Sequence, residues 1–507
     1  MMKVLFLYPN ISMSSMVPQG IASISAYLKE SGIQTAVFDT TFYQDKINEN
    51  INKEKIGQVE RTNDASNRVK IKTEDVFDDF RNTVVEFEPD LIAVSMVEDV
   101  FKKGIPLIKS IRDLQVPNVI GGVFPTFAPE KVILQDCVDM ICIGEGEEAI
   151  LELCNALSSN QMHHGILGIW SKNEKGDILK TQVREPMNMA ELPAPDYDIF
   201  SEELLYRPMQ GKMRLTLGIE TQRGCPFSCA FCNSPAQKRL YNGTVANFYR
   251  RKPVEKVKRD LEILVKKYKP DFIYWVADTF LAMPEREWDE FYEMYMDFRV
   301  PFWMNTRPET ITKRRVKQLE DMNCMRCNIG IEHGNYRYRK DVINRRTKDS
   351  EILDGFKAFE GTSITIVANT IIGYPGETED LIRESLEFNR KLAPYIDSIT
   401  ANIFAPYHGT ILREKAVKEG YISDDIVVGT CTTTESLLKS PYISNDTLKG
   451  LLRTFPLYVK LPMSYYPDIR RCEKLDDKGN ALYNELLELY QEKFINKKRG
   501  DDWEDLH

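Results

Sequence analysis

Four things are missing from this chain. Long apolar runs are the first: no stretch approaches the ~18 residues of a membrane span. The apolar start Val4–Tyr8 breaks at Pro9-Asn10 with no small-residue cleavage site, so no secretory signal is expected. A secreted-type disulfide framework is the second. The ten cysteines form no such framework, which suits a reducing cytoplasm, the expected location. Excess positive charge is the third. The formal net charge of −9 argues against a nucleic-acid partner, which would need clustered Lys and Arg. Histidine is the fourth, with five in all. The sole Asp-x-His is Asp505–His507, and no glycine follows it in this sequence.

What remains is an ordinary globular composition, 42% hydrophobic and 28% charged in 507 residues, enough for roughly three domains. The first third alternates short apolar strands with amphipathic helices. Strands are predicted over Val4–Tyr8, Gln34–Phe38, Leu91–Val97, Asn118–Ile120 and Met140–Ile143. Helices are predicted near Gly20–Glu30, Val76–Phe87, Lys102–Leu114, Pro129–Gln135 and Glu147–Leu157. Such alternation means a parallel sheet covered on both faces, with a ligand at the carboxyl ends of its strands. Asp45–Asp75 is polar and reads as an insertion. From Gly165 to Pro208 a proline-containing connector, with a hairpin turn at Lys175-Gly176-Asp177, reads as an extended, semi-rigid linker.

A second alternation begins at Leu215–Glu220. It continues through strands at Phe272–Val276, Phe302–Asn305, Cys327–Ile331, Ile364–Ile372 and Ile399–Ala405, with helices such as Pro253–Lys267, Glu285–Phe298 and Thr378–Leu392 between them. These are six units, too few for a closed eight-stranded barrel. Beyond Lys418 the pattern is irregular, then helical at Tyr483–Phe494, with a charged tail at Lys497–Asp505. Phe455–Tyr466 is aromatic-rich and is expected to pack against the barrel.

The most informative segment follows the first strand of this second set: Arg-Gly-Cys225-Pro-Phe-Ser-Cys229-Ala-Phe-Cys232-Asn. Thiolates spaced four and three residues apart can hold three corners of an iron–sulfur cube, which normally takes four cysteines. No fourth is near, so one iron stays open to bind and transform a small molecule. Zinc is the bland alternative, but a structural zinc site would need a fourth ligand, and no second knuckle or nearby histidine follows. Cys324-Met325-Arg326-Cys327 is a second pair without partners.

The Cys-x-x-x-Cys-x-x-Cys loop, with Phe231 before its last cysteine, resembles the signature of radical S-adenosylmethionine (SAM) enzymes. The resemblance implies a partial (β/α)6 barrel and a 4Fe-4S cluster on Cys225, Cys229 and Cys232. SAM would be chelated by the open iron and cleaved to a deoxyadenosyl radical, with electrons from a donor such as flavodoxin or ferredoxin. Asp278-Thr279 and Glu332 in Gly-Ile-Glu332-His333-Gly resemble the family's strand-end residues for SAM; Arg307, after the third strand, could bind a carboxylate in bidentate fashion, and Gly373 in Gly-Tyr-Pro-Gly-Glu-Thr permits close backbone approach. His333 stands where the family usually has serine. Read alone, each of these could be a helix cap or a structural ion-pair partner.

The front loops resemble those of the cobalamin-binding domain that precedes many radical SAM enzymes. The residues are Pro18 and Gly20, Ser95-Met96, Gly121-Gly122-Val123-Phe124, and Gly144-Glu145-Gly146. A glycine-rich strand end is also an ordinary turn. Many cobalamin mutases ligate cobalt from Asp-x-His-x-x-Gly; its absence here, with Phe124 where a histidine is common, implies a lower cobalt face without imidazole.

The fold expected is therefore α/β. A doubly wound Rossmann-like cobalamin-binding domain (1–164) leads through a connector (165–208) to the radical SAM core (209–418) and a mainly helical C-terminal domain (419–507). The function expected from the resemblance is a cobalamin-dependent methyltransferase of the class B radical SAM type. It would use the cluster to cleave SAM, and methylcobalamin to methylate an unactivated carbon or phosphorus. A cyclase or ring-rearranging enzyme, and a non-catalytic iron–sulfur carrier or sensor, are the alternatives. A small-molecule, peptide or lipid-like substrate all fit.

Overall fold

The structure, a computed structural model, describes residues 1–14, 16–44, 69–159, 161–162, 164–209, 212–241, 248–429 and 434–495. Most of the expected insertion Asp45–Asp75, and the tail Lys497–Asp505, lie outside them. The apolar runs of the first third become strands β1 (Lys3–Tyr8), β2 (Gln34–Asp39), β3 (Leu91–Ser95), β4 (Asn118–Gly121) and β5 (Met140–Cys142). They pair in parallel in the order β2-β1-β3-β4-β5. Nearly every residue of β3, β4 and β5 is buried, because helices such as Gln19–Glu30 and Glu147–Ser158 cover the sheet. The chain reverses direction across the sheet between β1 and β3, so their carboxyl ends flank a crevice suited to a ligand.

The segment expected as an extended linker is partly sheet. Strands β6 (Ile169–Lys172) and β7 (Ile178–Leu179) form a hairpin that continues the front sheet antiparallel to β5. Its turn uses Gly176 at φ +84°. The alternating burial of Ile169 to Lys172 is the half-buried strand pattern that the later prolines obscure. At the other end, β8 (Tyr206–Met209) pairs antiparallel with β9 (Lys212–Glu220).

A two-stranded ribbon, β10 (Gln222–Arg223) with β11 (Arg250–Arg251), follows. The second sheet continues with β12 (Phe272–Val276), β13 (Phe302–Thr306), β14 (Cys324–Glu332), β15 (Thr365–Ile372) and β16 (Ser398–Ile403). Its order, β8-β9-β12-β13-β14-β15-β16, is six parallel strands in sequence with β8 as an antiparallel edge, an open half-barrel. One face packs on the intervening helices: Ile273, Trp275, Met304 and Ile329 share a core with Val257, Leu261 and Phe291. The helix Asn445–Lys460 closes over β16, and Phe455 is fully buried there. Cys324 and Cys327 are buried in β14. No described helix is long and apolar enough to cross a membrane.

Candidate active site

The cysteine loop leaves β10 through Gly224, at φ +80°, where a side chain would strike Phe248. The loop is pinned at several points. Ala230 N donates to Ile343 O, Leu412 N donates to Ala230 O, and Asn344 Nδ2 donates to Ser228 O. Phe231 packs 6.2 Å from the Tyr374 ring, so its role in place is apolar support. Each cysteine sulfur meets one polar neighbour. Cys225 Sγ lies 3.5 Å from Thr279 Oγ1, Cys229 Sγ accepts from Arg307 Nη1 at 3.0 Å, and Cys232 Sγ accepts from Ser234 N at 3.4 Å. Burial pushes the Cys225 thiol up, and that of Cys232 to about 12. Such sulfurs are held as thiolates only against positive charge, which irons and the Arg307 guanidinium can supply. Three thiol donors on one pinned loop are the donor chemistry that an iron–sulfur cluster takes.

Arg307 is also stacked on Phe227, its Cζ 3.7 Å from the ring centroid, and is paired with Glu309. Burial would lower its pKa, but Cys229 and Glu309 outweigh that and raise it. Glu332 ends β14 at φ +70°, just after a bulge, a strained backbone for a residue with a side chain. Burial raises its carboxyl while Arg345, whose Nη1 is 3.2 Å away, pulls the other way. Asp278 follows β12 and faces a cavity. Burial and then Glu220 raise its carboxyl. Gly373 turns at φ +81°, and the Glu377 carboxylate accepts from the Gly373 and Tyr374 amides. His333 is fully buried; its Nδ1 accepts from Asn335 N, so Nε2 carries the proton and donates to Glu377 at 2.9 Å. The departure from serine is thereby a structural strut under the Gly373 turn.

The cavity, of about 370 Å³, lies between the two sheets. The front domain lines it with Gly20, Ser95, Gly121, Gly122, Val123, Gly144, Glu145 and Gly146, and the half-barrel with Glu220, Arg223, Tyr241 and Asp278. Pro18, Met96 and Phe124 are not in its lining. Met96 is fully buried, its backbone behind Gly122. Phe124 points into the core, 5.0 Å from Phe101 and 5.6 Å from His408, ring to ring. Its ring is part of the packing behind the Gly121-Gly122 loop. Val123–Phe127 is a short helix, and Val123, Thr126 and Phe127 present its cavity face. Phe124 falls on another side of that helix. The cysteines, Thr279, Arg307, Glu332 and Gly373 also lie outside this lining, with Thr279 joining Asp278 to Cys225.

Arg223, which the sequence reading passed over, ties the two units together. Its Nη1 is 3.1 Å from Glu145, its Nη2 2.6 Å from Glu147 and its Nε 3.1 Å from Glu220. Arg250 also pairs with Glu145, and Tyr241 Oη accepts from Glu145 N at 3.1 Å. Burial alone would depress Arg223, yet the three carboxylates hold it well above the usual value. Its place two residues before Cys225 was the available signal.

Comparison with known proteins places these features in context. A model of the radical SAM superfamily matches residues 219–388, and a model of the B12 binding domain matches residues 64–154. The chain is 26% identical over 382 residues to an uncharacterized methyltransferase, PH0819, of Pyrococcus horikoshii, covering 74% of this chain and 80% of that protein. It is 22% identical over 410 residues to the anaerobic magnesium-protoporphyrin IX monomethyl ester cyclase of Rubrivivax gelatinosus, covering 78% and 66%. A solved structure of similar fold is TsrM of Kitasatospora setae, a radical SAM methyltransferase with cobalamin and a [4Fe-4S] cluster bound. Its TM-score is 0.64 at 14% identity, over 97% of this chain and 99% of that one.

Proposed function

The chain is a radical SAM enzyme with a B12 binding domain before its half-barrel, and from that premise we propose that it methylates an unactivated carbon, or phosphorus, of its substrate. When bound, the 4Fe-4S cluster, SAM and cobalamin supply one-electron cleavage of a sulfonium and a transferable methyl group. The chain's own residues hold, orient and shield these groups. Cys225, Cys229 and Cys232 would ligate three irons, with Thr279, Ser234 and Arg307 bearing on the sulfurs. Asp278 and Glu332 would receive hydrogen bonds from the amino and ribose groups of SAM, and Gly373 would permit close backbone approach. Gly20, Ser95, Gly121 to Val123 and Gly144 to Gly146 would approach cobalamin. Pro18, Met96 and Phe124 would support those loops from behind.

The carrying observation is the single cavity lined from both units, with the cobalamin-type loops on one wall and Glu220 and Asp278 on the other. A methyl donor and a substrate radical must meet in one space, and a cavity shared by the two units supports that reading. The relationship to a cyclase supports a second reading, in which the same architecture closes a ring.

The test is product analysis under anaerobic conditions, with a reducing donor of the flavodoxin or ferredoxin kind and candidate substrates. Methyl transfer yields both S-adenosylhomocysteine and deoxyadenosine with a methylated product. Cyclisation yields deoxyadenosine without S-adenosylhomocysteine, and that result would overturn the proposal.

A further inference from the structure

The face of the second sheet turned away from the helices is mixed: Met209, Phe272 and Trp303 form a small apolar cluster there with Tyr274 and Met325, and polar side chains stand beside it. Closed barrels fill such positions with branched apolar side chains in packed layers. Here β12, β13 and β14 place Tyr274, Trp303, Asn305, Arg326 and Asn328 there, opposite the helix-facing Ile273, Trp275, Met304 and Cys327. The register sets Tyr274 beside Trp303, Trp303 beside Arg326, and Asn305 beside Asn328. A hydrogen-bonded ladder crosses the strands. Asn305 Nδ2 donates to Tyr274 Oη at 3.0 Å, Asn328 Nδ2 donates to Asn305 Oδ1 at 3.2 Å, and Arg326 Nε donates to Asn328 Oδ1 at 3.0 Å. The ladder orients Arg326 through its Nε and consumes the amide acceptors near it.

A second guanidinium comes from β8. Arg207 Cζ lies 5.9 Å from the Tyr274 ring and 5.5 Å from the Trp303 ring, and those two rings stack at 4.0 Å. Neither arginine forms an ion pair with a carboxylate among the described residues. The groups that bear on Arg207 are Tyr274 and Tyr8. Those that bear on Arg326 are Arg207 itself and Asp397, which accepts from Ile366 N at 2.6 Å. Burial lowers both guanidiniums, and with Arg207 beside it Arg326 comes down to about 10. Two further donors nearby lack acceptors: the buried Nε1 of Trp303, and Nε of Arg214, which pairs in register with Arg207.

Arg207 and Arg326 are half-buried, and charges drawn out of water are ordinarily paired, because burying a lone one is costly. Here several donors and two cations converge with no anion among them. We infer that the half-barrel binds the anionic group of its substrate, a carboxylate or phosphate, between Arg326 and Arg207 against the Tyr274–Trp303 wall. The guanidinium fork suits bidentate capture of either anion. Four strand residues separate Tyr274 from Asp278, about 13 Å at ~3.3 Å per residue. The anion would therefore anchor deep in the half-barrel while the rest of the substrate reaches toward the strand ends. This rests on the proposed function for its location, but the anion site is testable without turnover.

The experiment uses the full chain reconstituted with iron, sulfide and cobalamin. It is titrated with inorganic phosphate, with acetate and with tetramethylammonium as a cationic control, and binding is read by calorimetry. At least one anion should bind while the cation does not, and the tighter anion identifies the source. Arg326→Gln and Arg207→Gln should each weaken that binding about tenfold or more. Without anion, Arg326→Gln should melt no lower than wild type, because it removes one of two like charges; a purely structural arginine would melt lower on replacement. Binding of neither anion, or equal binding by both variants, overturns the inference. Anion binding with no SAM cleavage would instead count against the proposed function, and SAM cleavage with no anion binding would leave that function standing without this site.

Discussion

His408 Nδ1 donates to Glu98 Oε1 at 2.7 Å, joining the strap after β16 to the turn after β3. The same carboxylate accepts from the backbone amides of His408, at 2.9 Å, and Val428, at 2.8 Å. The neighbouring Asp99 accepts from Tyr407 Oη at 2.8 Å. Glu98 is buried and serves three donors from the other unit. Glu98→Ala leaves all three unpaired and should cost on the order of 3 kcal/mol, read as a lowered urea midpoint. Glu98→Gln keeps an acceptor and should cost less. Equal midpoints for Ala and wild type would show that the clasp carries no load.

Arg307 places a positive charge 3.0 Å from the Cys229 sulfur. Arg307→Met removes that donor while leaving the three thiols. The variant should bind the same iron and show a cluster potential lower by roughly 60–120 mV, the electrochemical equivalent of one charge-assisted hydrogen bond. A potentiometric titration followed by electron paramagnetic resonance gives the value. An unchanged potential would mean that Arg307 serves only Glu309 and Phe227.

Gly122 sits at φ +110°, and a Cβ there would fall 2.6 Å from Met96 O. Gly144 sits at φ +86°, and its Cβ would strike the Tyr241 hydroxyl. Gly122→Ala and Gly144→Ala should each reduce the cobalamin retained, seen in the visible spectrum, while iron content stays at the wild-type level. Loss of iron in step with cobalamin would point to global unfolding instead.

Glu147 is buried, yet Arg223 and Ser23 hold its carboxyl below the ordinary value of 4.5 against the opposing effect of burial. A depressed folded value means that the pairing stabilises the protein fully above the unfolded value and is lost as pH falls through the folded one. Stability should therefore drop below about pH 4.5 in the wild type, and the drop should be shallower in Glu147→Gln. Arg223→Met strands Glu147 and Glu220, leaves Glu145 to Arg250 alone, and should cost about 3–5 kcal/mol at neutral pH. Denaturation midpoints across pH 3 to 7 check both.

Local chemistry was legible in the sequence, and convergence was not. The cysteine spacing, the apolar runs and the glycine turns each declare themselves within a few residues. The direction of the Phe124 ring was not legible from the strand end alone. The next five residues are helical, so Val123 and Phe124 point different ways. In the connector the hairpin turn at Lys175-Gly176-Asp177 was legible, but the strand before it, Ile169–Lys172, was not, because its alternation is only four residues long. Glu98 and His408 lie 310 residues apart, and nothing near either one announces the other. Arg326 was seen only as the filler of a Cys-x-x-Cys, since its setting depends on the register of three strands.

Arg223 fastens the thiol-bearing loop to the Gly144–Gly146 turn of the other unit. With Arg250 and Tyr241 holding Glu145 from the same side, movement of either loop is felt by the other. Assembly should then have a grain to it: whichever group settles first stiffens the berth awaiting the other.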